Sequence, residues 1–318
     1  MNSAEYLFDS ASNNYRLGDY QGAIADFTET INLKPDYAEA YIGRGYAKDK
    51  LNNYQEAIND FTKAIELEPD YARAYYNRGL TKYKLNDYQG AIADFTETIE
   101  LKSDYAEAYI GRGEAKDKLN YYQEAIADLT KAIELEPSIP YIYGIRGNIK
   151  YFHNYYQEAI ADFTKGIELA PNLPYGYFFR AHSRDRLNDY QGAIADFTKA
   201  IELEPDKAIV YSDRGLLKVS LKDYQGAIND FTKAIELEPD YAKAYSNRGS
   251  VEGSLKDYQE AIVDYTNAIG LKPDYADAYY GRGLSYIELQ QKEKAMADFI
   301  IATGLGYHVP QNILDMCK

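Results

Sequence analysis

The 318-residue chain has little basic charge, one cysteine and no long apolar run. Its 35 lysines and arginines stand against 50 aspartates and glutamates, a net charge of −15. A phosphate backbone is repelled by that balance, so nucleic acid is not an expected partner. Cys317 is the single cysteine, which rules out an internal disulfide and fits a reducing, cytoplasmic compartment. No apolar stretch approaches the roughly 18 residues of a membrane span, so no membrane insertion is expected. The opening "MNSAEYLFDSASNNY" has neither the basic nor the apolar segment of a secretory leader.

Residues for chemistry are as scarce as those for export. The three histidines, His153, His182 and His308, have no metal-ligand spacing. The sequence contains no Gly-x-Ser-x-Gly, no Cys/His dyad and no Walker pattern. "GRG" at Gly43, Gly111 and Gly281 follows no strand and reads as helix packing, not as a phosphate loop. The expectation is a protein that is not an enzyme and needs no cofactor or metal.

What the sequence does contain is repetition, with a period of 34 residues. Nine units tile residues 4–37, 38–71, 72–105, 106–139, 140–173, 174–207, 208–241, 242–275 and 276–309, leaving 310–318 as a short C-terminal cap. Counting positions 1 to 34 within each unit, position 20 is always alanine and position 24 is aromatic in eight units, with Leu129 the exception. Position 4 is tyrosine in eight, position 8 glycine in seven and position 32 proline in seven. The pattern predicts helix A over positions 2 to 14, a turn reading "LNDY" or "LKDY", and helix B over about positions 18 to 31, stopped by the proline. Glycine at position 8 and alanine at position 20 let two helix backbones approach closely. One such hairpin cannot bury its apolar face alone, but a stack of them can.

These residues resemble the tetratricopeptide repeat family. Repeat 2 carries the pattern in full, with Tyr41, Gly45, Ala57, Phe61, Ala64 and Pro69. The resemblance implies an all-α, right-handed superhelical solenoid spanning 1–318 as one domain, with helix A lining a concave groove. It also implies a non-catalytic scaffold or adaptor that binds proteins or peptides. Two alternatives stand beside that reading. One is a structural solenoid that associates end to end, as against a monomer. The other is the regulatory arm of a larger enzyme or assembly. Some members of the family grip acidic C-termini with a basic clamp. No three consecutive repeats here match it, and the first register gives Phe8, Ser12, Gly43, Arg73 and Asn77.

Position 7 is arginine in eight repeats and position 23 is aspartate in all nine. Position 7 faces helix B, where an unpaired charge is very costly. We therefore expect an ion-pair ladder of Asp26, Asp60, Asp94, Asp128, Asp162, Asp196, Asp230 and Asp264 with Arg44, Arg78, Arg112, Arg146, Arg180, Arg214, Arg248 and Arg282, each aspartate serving the next repeat. Repeat 1 lacks both the arginine and a preceding helix B. An anion-binding ladder is the functional alternative, disfavoured because the arginines turn away from the groove.

Positions 2, 5, 6, 9, 12 and 13 share the opposite side of helix A. In repeats 5 and 6 this side turns aromatic: Tyr141, Tyr151 and Phe152, then Tyr175, Phe178 and Phe179, with His182 and Arg186 further along. These eight residues are the expected ligand groove, fitted to a segment with one or two bulky apolar anchors. Pro140, Pro174, Gly144 and Gly176 fall in the same two helices, and their backbone effects leave room that the rings could fill instead.

Overall fold

Each repeat contributes two helices because its turn residues fall at fixed places. The computed structural model describes residues 3–317; of the expected domain 1–318, Met1, Asn2 and Lys318 lie outside the described residues. The described residues are all-helical, with 19 helices and no strand. They divide into two compact units, Met1–Asn154 and Tyr155–Lys318.

The first unit contains α1 (Ser3–Arg16), α2 (Tyr20–Leu33), α3 (Ala38–Lys50), α4 (Tyr54–Leu67), α5 (Ala72–Lys84), α6 (Tyr88–Leu101), α7 (Ala106–Lys118), α8 (Tyr122–Leu135) and α9 (Pro140–Phe152). The second contains α10 (Tyr156–Leu169), α11 (Pro174–Arg186), α12 (Tyr190–Leu203), α13 (Ala208–Ser220), α14 (Tyr224–Leu237), α15 (Ala242–Ser254), α16 (Tyr258–Leu271), α17 (Ala276–Glu288), α18 (Lys292–Gly304) and α19 (Gln311–Asp315). Within each unit consecutive helices pack on one another, the two helices of a hairpin most closely.

Interior helices run over positions 1 to 13 and 17 to 30, one residue earlier than the sequence pattern suggests. Position 31 precedes the proline and is held near φ −130 to −140°, as at Glu68 and Glu238, so helix B must end at position 30. Lys102 ends α6 in the same conformation although Ser103 follows it. Proline therefore reinforces this stop without being its sole cause. Pro140 and Pro174 open α9 and α11, where a missing N–H costs nothing.

The hairpin turn centres on position 15, which adopts a left-handed backbone: Asn52, Asn86, Asn120, Asn154 and Asn188, but Lys222, Lys256 and Gln290 in the last repeats. Asparagine tolerates this conformation better than lysine, because its short side chain bonds locally. Lys256→Asn is expected to raise stability by roughly 0.5–1 kcal/mol, read as a higher urea midpoint at unchanged slope. Beside the turn, Asp19, Asp87, Asp189 and Asp223 cap helix B by accepting from the amide three residues on. The residue carrying that amide is glycine each time, and a side chain there would collide with the aspartate carboxylate.

Alanine at position 20 is fully buried in every repeat. The position 24 ring lies between two glycines where the sequence provides them. Phe95 meets Gly79 of its own hairpin and Gly111 of the next, and Phe27 likewise fills the space beside Gly43. This is the packing role of "GRG". The exception, Leu129, packs in a cluster with Ile145, which occupies the position of Gly111 one repeat later. A smaller residue on one helix accompanies a larger one on its neighbour.

The ladder exists, but in a different register. Arg44 donates to Asp60, Arg78 to Asp94, Arg112 to Asp128, Arg180 to Asp196, Arg214 to Asp230, Arg248 to Asp264 and Arg282 to Asp298, each through two N–H groups at 2.7–2.9 Å. The expected pairs Asp26–Arg44 and Asp60–Arg78, and those like them, are corrected: each pair sits within one repeat. In an antiparallel hairpin centred on position 15, positions 7 and 23 are level with each other. The third arginine bond is the one that crosses repeats, from Arg44 to Thr28, Arg78 to Thr62, Arg112 to Thr96, Arg146 to Thr130, Arg180 to Thr164, Arg214 to Thr198, Arg248 to Thr232 and Arg282 to Thr266, at 2.8–3.2 Å.

Both ends of the array follow from this geometry. Repeat 1 has no preceding threonine, and Asp26 is held instead by Ser10 at 2.7 Å and Asn14 at 3.0 Å. Repeat 9 has no following arginine, and Ile300 replaces the threonine at position 25. In the seven doubly bonded pairs each guanidinium is engaged by carboxylate and hydroxyl and lies 5.5–5.9 Å from the ring of its position 4 tyrosine. Its charge is neutralised inside the hairpin, so an external anion has little to gain there. The tyrosines are framework as well: Tyr41, Tyr143, Tyr177 and Tyr211 donate to the carbonyl of the proline six residues before.

Candidate ligand-binding site

The first unit encloses an open hollow of about 560 Å³. Repeat 1 contributes Phe8, Ser12, Tyr15, Arg16 and Phe27, and repeat 2 contributes Glu39, Ile42, Gly43, Tyr46 and Tyr71. Arg73, Tyr76, Asn77 and Tyr105 of repeat 3 complete it. Apart from Phe27 and the inter-repeat tyrosines Tyr71 and Tyr105, all of these occupy positions 2, 5, 6, 9, 12 or 13 of helix A. The hollow is thus on the predicted side of the helices, but in repeats 1 to 3.

Its walls are fixed by ring packing. Tyr76 stacks at a tilt on Tyr105, 4.9 Å between centroids, and leans on the buried Phe95 at 5.8 Å. Tyr46 packs against Phe61 at 5.7 Å, and its hydroxyl accepts from Asn77 Nδ2 at 2.6 Å. Asn77 also donates to the Arg73 carbonyl, so position 6 joins the wall to the helix backbone. Burial pushes the phenols of Tyr15, Tyr46, Tyr71, Tyr76 and Tyr105 above the ordinary tyrosine value. They remain neutral hydroxyls throughout the physiological range.

Two cations face these rings. The Arg73 guanidinium lies 5.4 Å from the Tyr46 ring centre, and its charge bears on Tyr15, Tyr71 and Tyr105 as well. Arg16 lines the same hollow. Among the described residues neither arginine pairs with a carboxylate, whereas the ladder arginines of repeats 2 to 4 do. The composition signal for this site was present in Arg73 and Tyr76. It was obscured because Tyr71 and Tyr105 belong to a framework column.

The sequence-predicted aromatic residues fall in both units. In the first, Tyr141 is 60% exposed and its hydroxyl donates to Glu114 at 2.9 Å, while Phe152 is 68% exposed and meets Tyr151 edge-on at 5.2 Å. In the second, Tyr175 tilts over Phe179 at 4.6 Å, and Phe178 meets Phe179, His182 and the buried Phe197 edge-on. His182 Nε2 is 3.3 Å from Asp213, and Arg186 lies over the Tyr156 ring at 5.4 Å. Phe178 is therefore partly a core residue, while Tyr175 remains about half exposed. The room left by Gly176 is taken by Ile167.

Among the described residues no three His, Cys, Asp or Glu side chains are grouped to hold a metal ion, and no helix is long and apolar enough to cross a membrane.

Comparison with known proteins follows the same repeats. Family models described as TPR repeat match residues 50–86, 217–253 and 251–290, and models described as tetratricopeptide repeat match 72–105, 106–139, 140–173 and 174–207. No curated protein matches the chain by sequence. Among solved structures, the C-terminal part of a TPR repeat-containing protein from Cytophaga hutchinsonii is 22% identical, with a TM-score of 0.63 over 74% of this chain and 97% of that one. YrrB, described as a TPR protein with an unusual peptide-binding site, is 24% identical, with a TM-score of 0.53 over 58% and 95%. MamA from Desulfovibrio magneticus is 24% identical, with a TM-score of 0.51 over 53% and 96%. The matched repeats cover well over half of the sequence, so the chain belongs to the tetratricopeptide repeat family.

Proposed function

We propose that this protein is a non-catalytic scaffold that binds a protein or peptide segment on its helix A faces, with the hollow of repeats 1 to 3 as the principal seat. The observation that supports this reading is a tyrosine-walled cavity carrying two arginines without carboxylate partners in a chain of net charge −15. Arg16 and Arg73 are exposed and carry no carboxylate partner among the described residues, so they are open to a ligand that brings its own negative charge. The occupant is a segment with one bulky apolar anchor set among the rings and an acidic residue beside it. Rigid aromatic walls suit such an anchor, because they bury a large area with few rotamers to freeze.

Peptides selected from a random displayed library on the full chain supply the probe. The selected sequences are expected to place Leu, Phe or Tyr next to Asp or Glu. Tyr76→Ala combined with Arg73→Ser is expected to weaken the best peptide by about 2 kcal/mol or more, with helix content unchanged by circular dichroism. A second reading places the ligand on the half-exposed cluster of Tyr175, Phe178, Phe179, His182 and Arg186 on α11. Loss of binding in Tyr175→Ala with retention in the Tyr76/Arg73 variant would favour that cluster instead.

A further inference from the structure

Position 11 of helix A supplies the ladder with a second cation. Lys48, Lys82, Lys116, Arg184 and Lys218 each lie 2.7–2.9 Å from the aspartate of their own hairpin. Repeat 8 reverses this charge. Its position 11 is Glu252 on α15, beside Asp264 of α16, which Arg248 already holds. Arg248 Nε is 2.7 Å from Asp264 Oδ2 and 4.0 Å from Glu252 Oε1, so one guanidinium serves two carboxyl groups. The Glu252 side chain is 14% exposed, and its Oε2 is buried without a hydrogen-bond donor.

The packed neighbours offer no spare cation. From α16 come Asp264, Glu260 and the neutral phenol of Tyr265. On α13, Arg214 and Lys218 are both bound to Asp230, and on α17 Arg282 is bound to Asp298. From α14 the cluster receives the Thr232 hydroxyl, which accepts from Arg248. Two like charges at one buried cation repel, and a bound proton relieves both that repulsion and the desolvation of Glu252. A protonated Oε2 also becomes a donor towards Asp264, the role that the lysine ammonium has in other repeats.

We propose that Glu252 and Asp264 share one proton, and that this proton makes repeat 8 a pH-responsive hairpin of the second unit. With the proton bound, Arg248 stays on Asp264 and Thr232 and ties repeat 8 to repeat 7. When it leaves, Glu252 competes for Arg248 and that tie loosens. Burial first, and then the charge of Asp264, push the Glu252 carboxyl from an ordinary value near 4.5 up to about 7. Because the folded value lies above the unfolded one, the contribution to stability is complete below the ordinary glutamate value. It falls as pH rises and is lost through about 7.

Carboxyl NMR of the full chain tests this directly, with Glu252 assigned through its own backbone resonances. Its titration midpoint is expected near neutral pH. Thermal melts across weakly acidic to weakly alkaline buffers supply the second measurement. Wild type is expected to lose a few degrees relative to Glu252→Gln and Glu252→Lys as pH rises. A Glu252 midpoint in the ordinary glutamate range overturns the proposal even if neither variant folds. A constant gap in melting temperature between wild type and both variants overturns it as well.

Discussion

Asp94→Ala is expected to destabilise the first unit by roughly 3–5 kcal/mol, because it removes a buried carboxylate and strands two partly buried cations at once. Asp94 receives Arg78 through two bonds and Lys82 at 2.8 Å, and only 3% of its surface is exposed. With the carboxylate gone, neither cation has another acid in reach. The internal control is Asp26→Ala. Asp26 is held by the neutral donors Ser10 and Asn14, so its removal leaves no orphaned charge and should cost only about 1–2 kcal/mol. Denaturant unfolding of the full chain measures both. Amide exchange in α5 and α6 shows whether the loss is local, since a repeat array need not unfold in two states. Equal costs for the two variants would mean that the hydrogen bonds, not the charges, hold these hairpins.

The same ladder separates what the amino-acid sequence makes legible from what only the folded chain decides. The helix pairs, their turns and the pairing of position 7 with position 23 are legible, because a 34-residue period repeats each signal in seven to nine units. The register of the ladder is not. Asp60 lies 16 residues from Arg44 and 18 from Arg78, and sequence spacing alone does not separate these partners. The level crossing within an antiparallel hairpin separates them. Threonine at position 25 carries the contact between repeats. It is present wherever an arginine follows, and it is absent at Ile300, where none does.

The hollow illustrates a different limit. Tyr71 and Tyr105 belong to a column that recurs for packing, so their recurrence pointed towards framework. They become walls because Arg73 and Tyr76 project beside them, while Phe27 fills the space beside Gly43. A residue can hold the fold with one edge of its ring and face a ligand with the other. Conversely, the aromatic run on α11 stood out in composition, yet Phe178 spends part of its surface on Phe197.

Phe95→Ala should cost about 3–5 kcal/mol, the range for emptying a fully buried aromatic site. The ring sits between Gly79, where a Cβ would lie 3.0 Å away, and Gly111, where it would lie 2.7 Å away. Its loss therefore opens a cavity in one hairpin and loosens that hairpin's contact with the next. Tyr76 leans on the same ring, so the tyrosine wall of the hollow should slacken and peptide affinity should fall with stability. A double-mutant cycle separates shape from size. The chain already carries a second solution to this junction in Leu129 with Ile145. Phe95→Leu alone leaves a void, and Gly111→Ile alone drives a branched side chain into the phenyl ring, an overpacking that costs about 1–3 kcal/mol. Installed together they reproduce the arrangement one repeat later, and the double variant should be more stable than the sum of the two losses predicts by at least about 1 kcal/mol. Strict additivity would mean that Leu129 is tolerated for reasons unrelated to Ile145. A favourable coupling would mean that the two residues act as one packing unit spanning two helices.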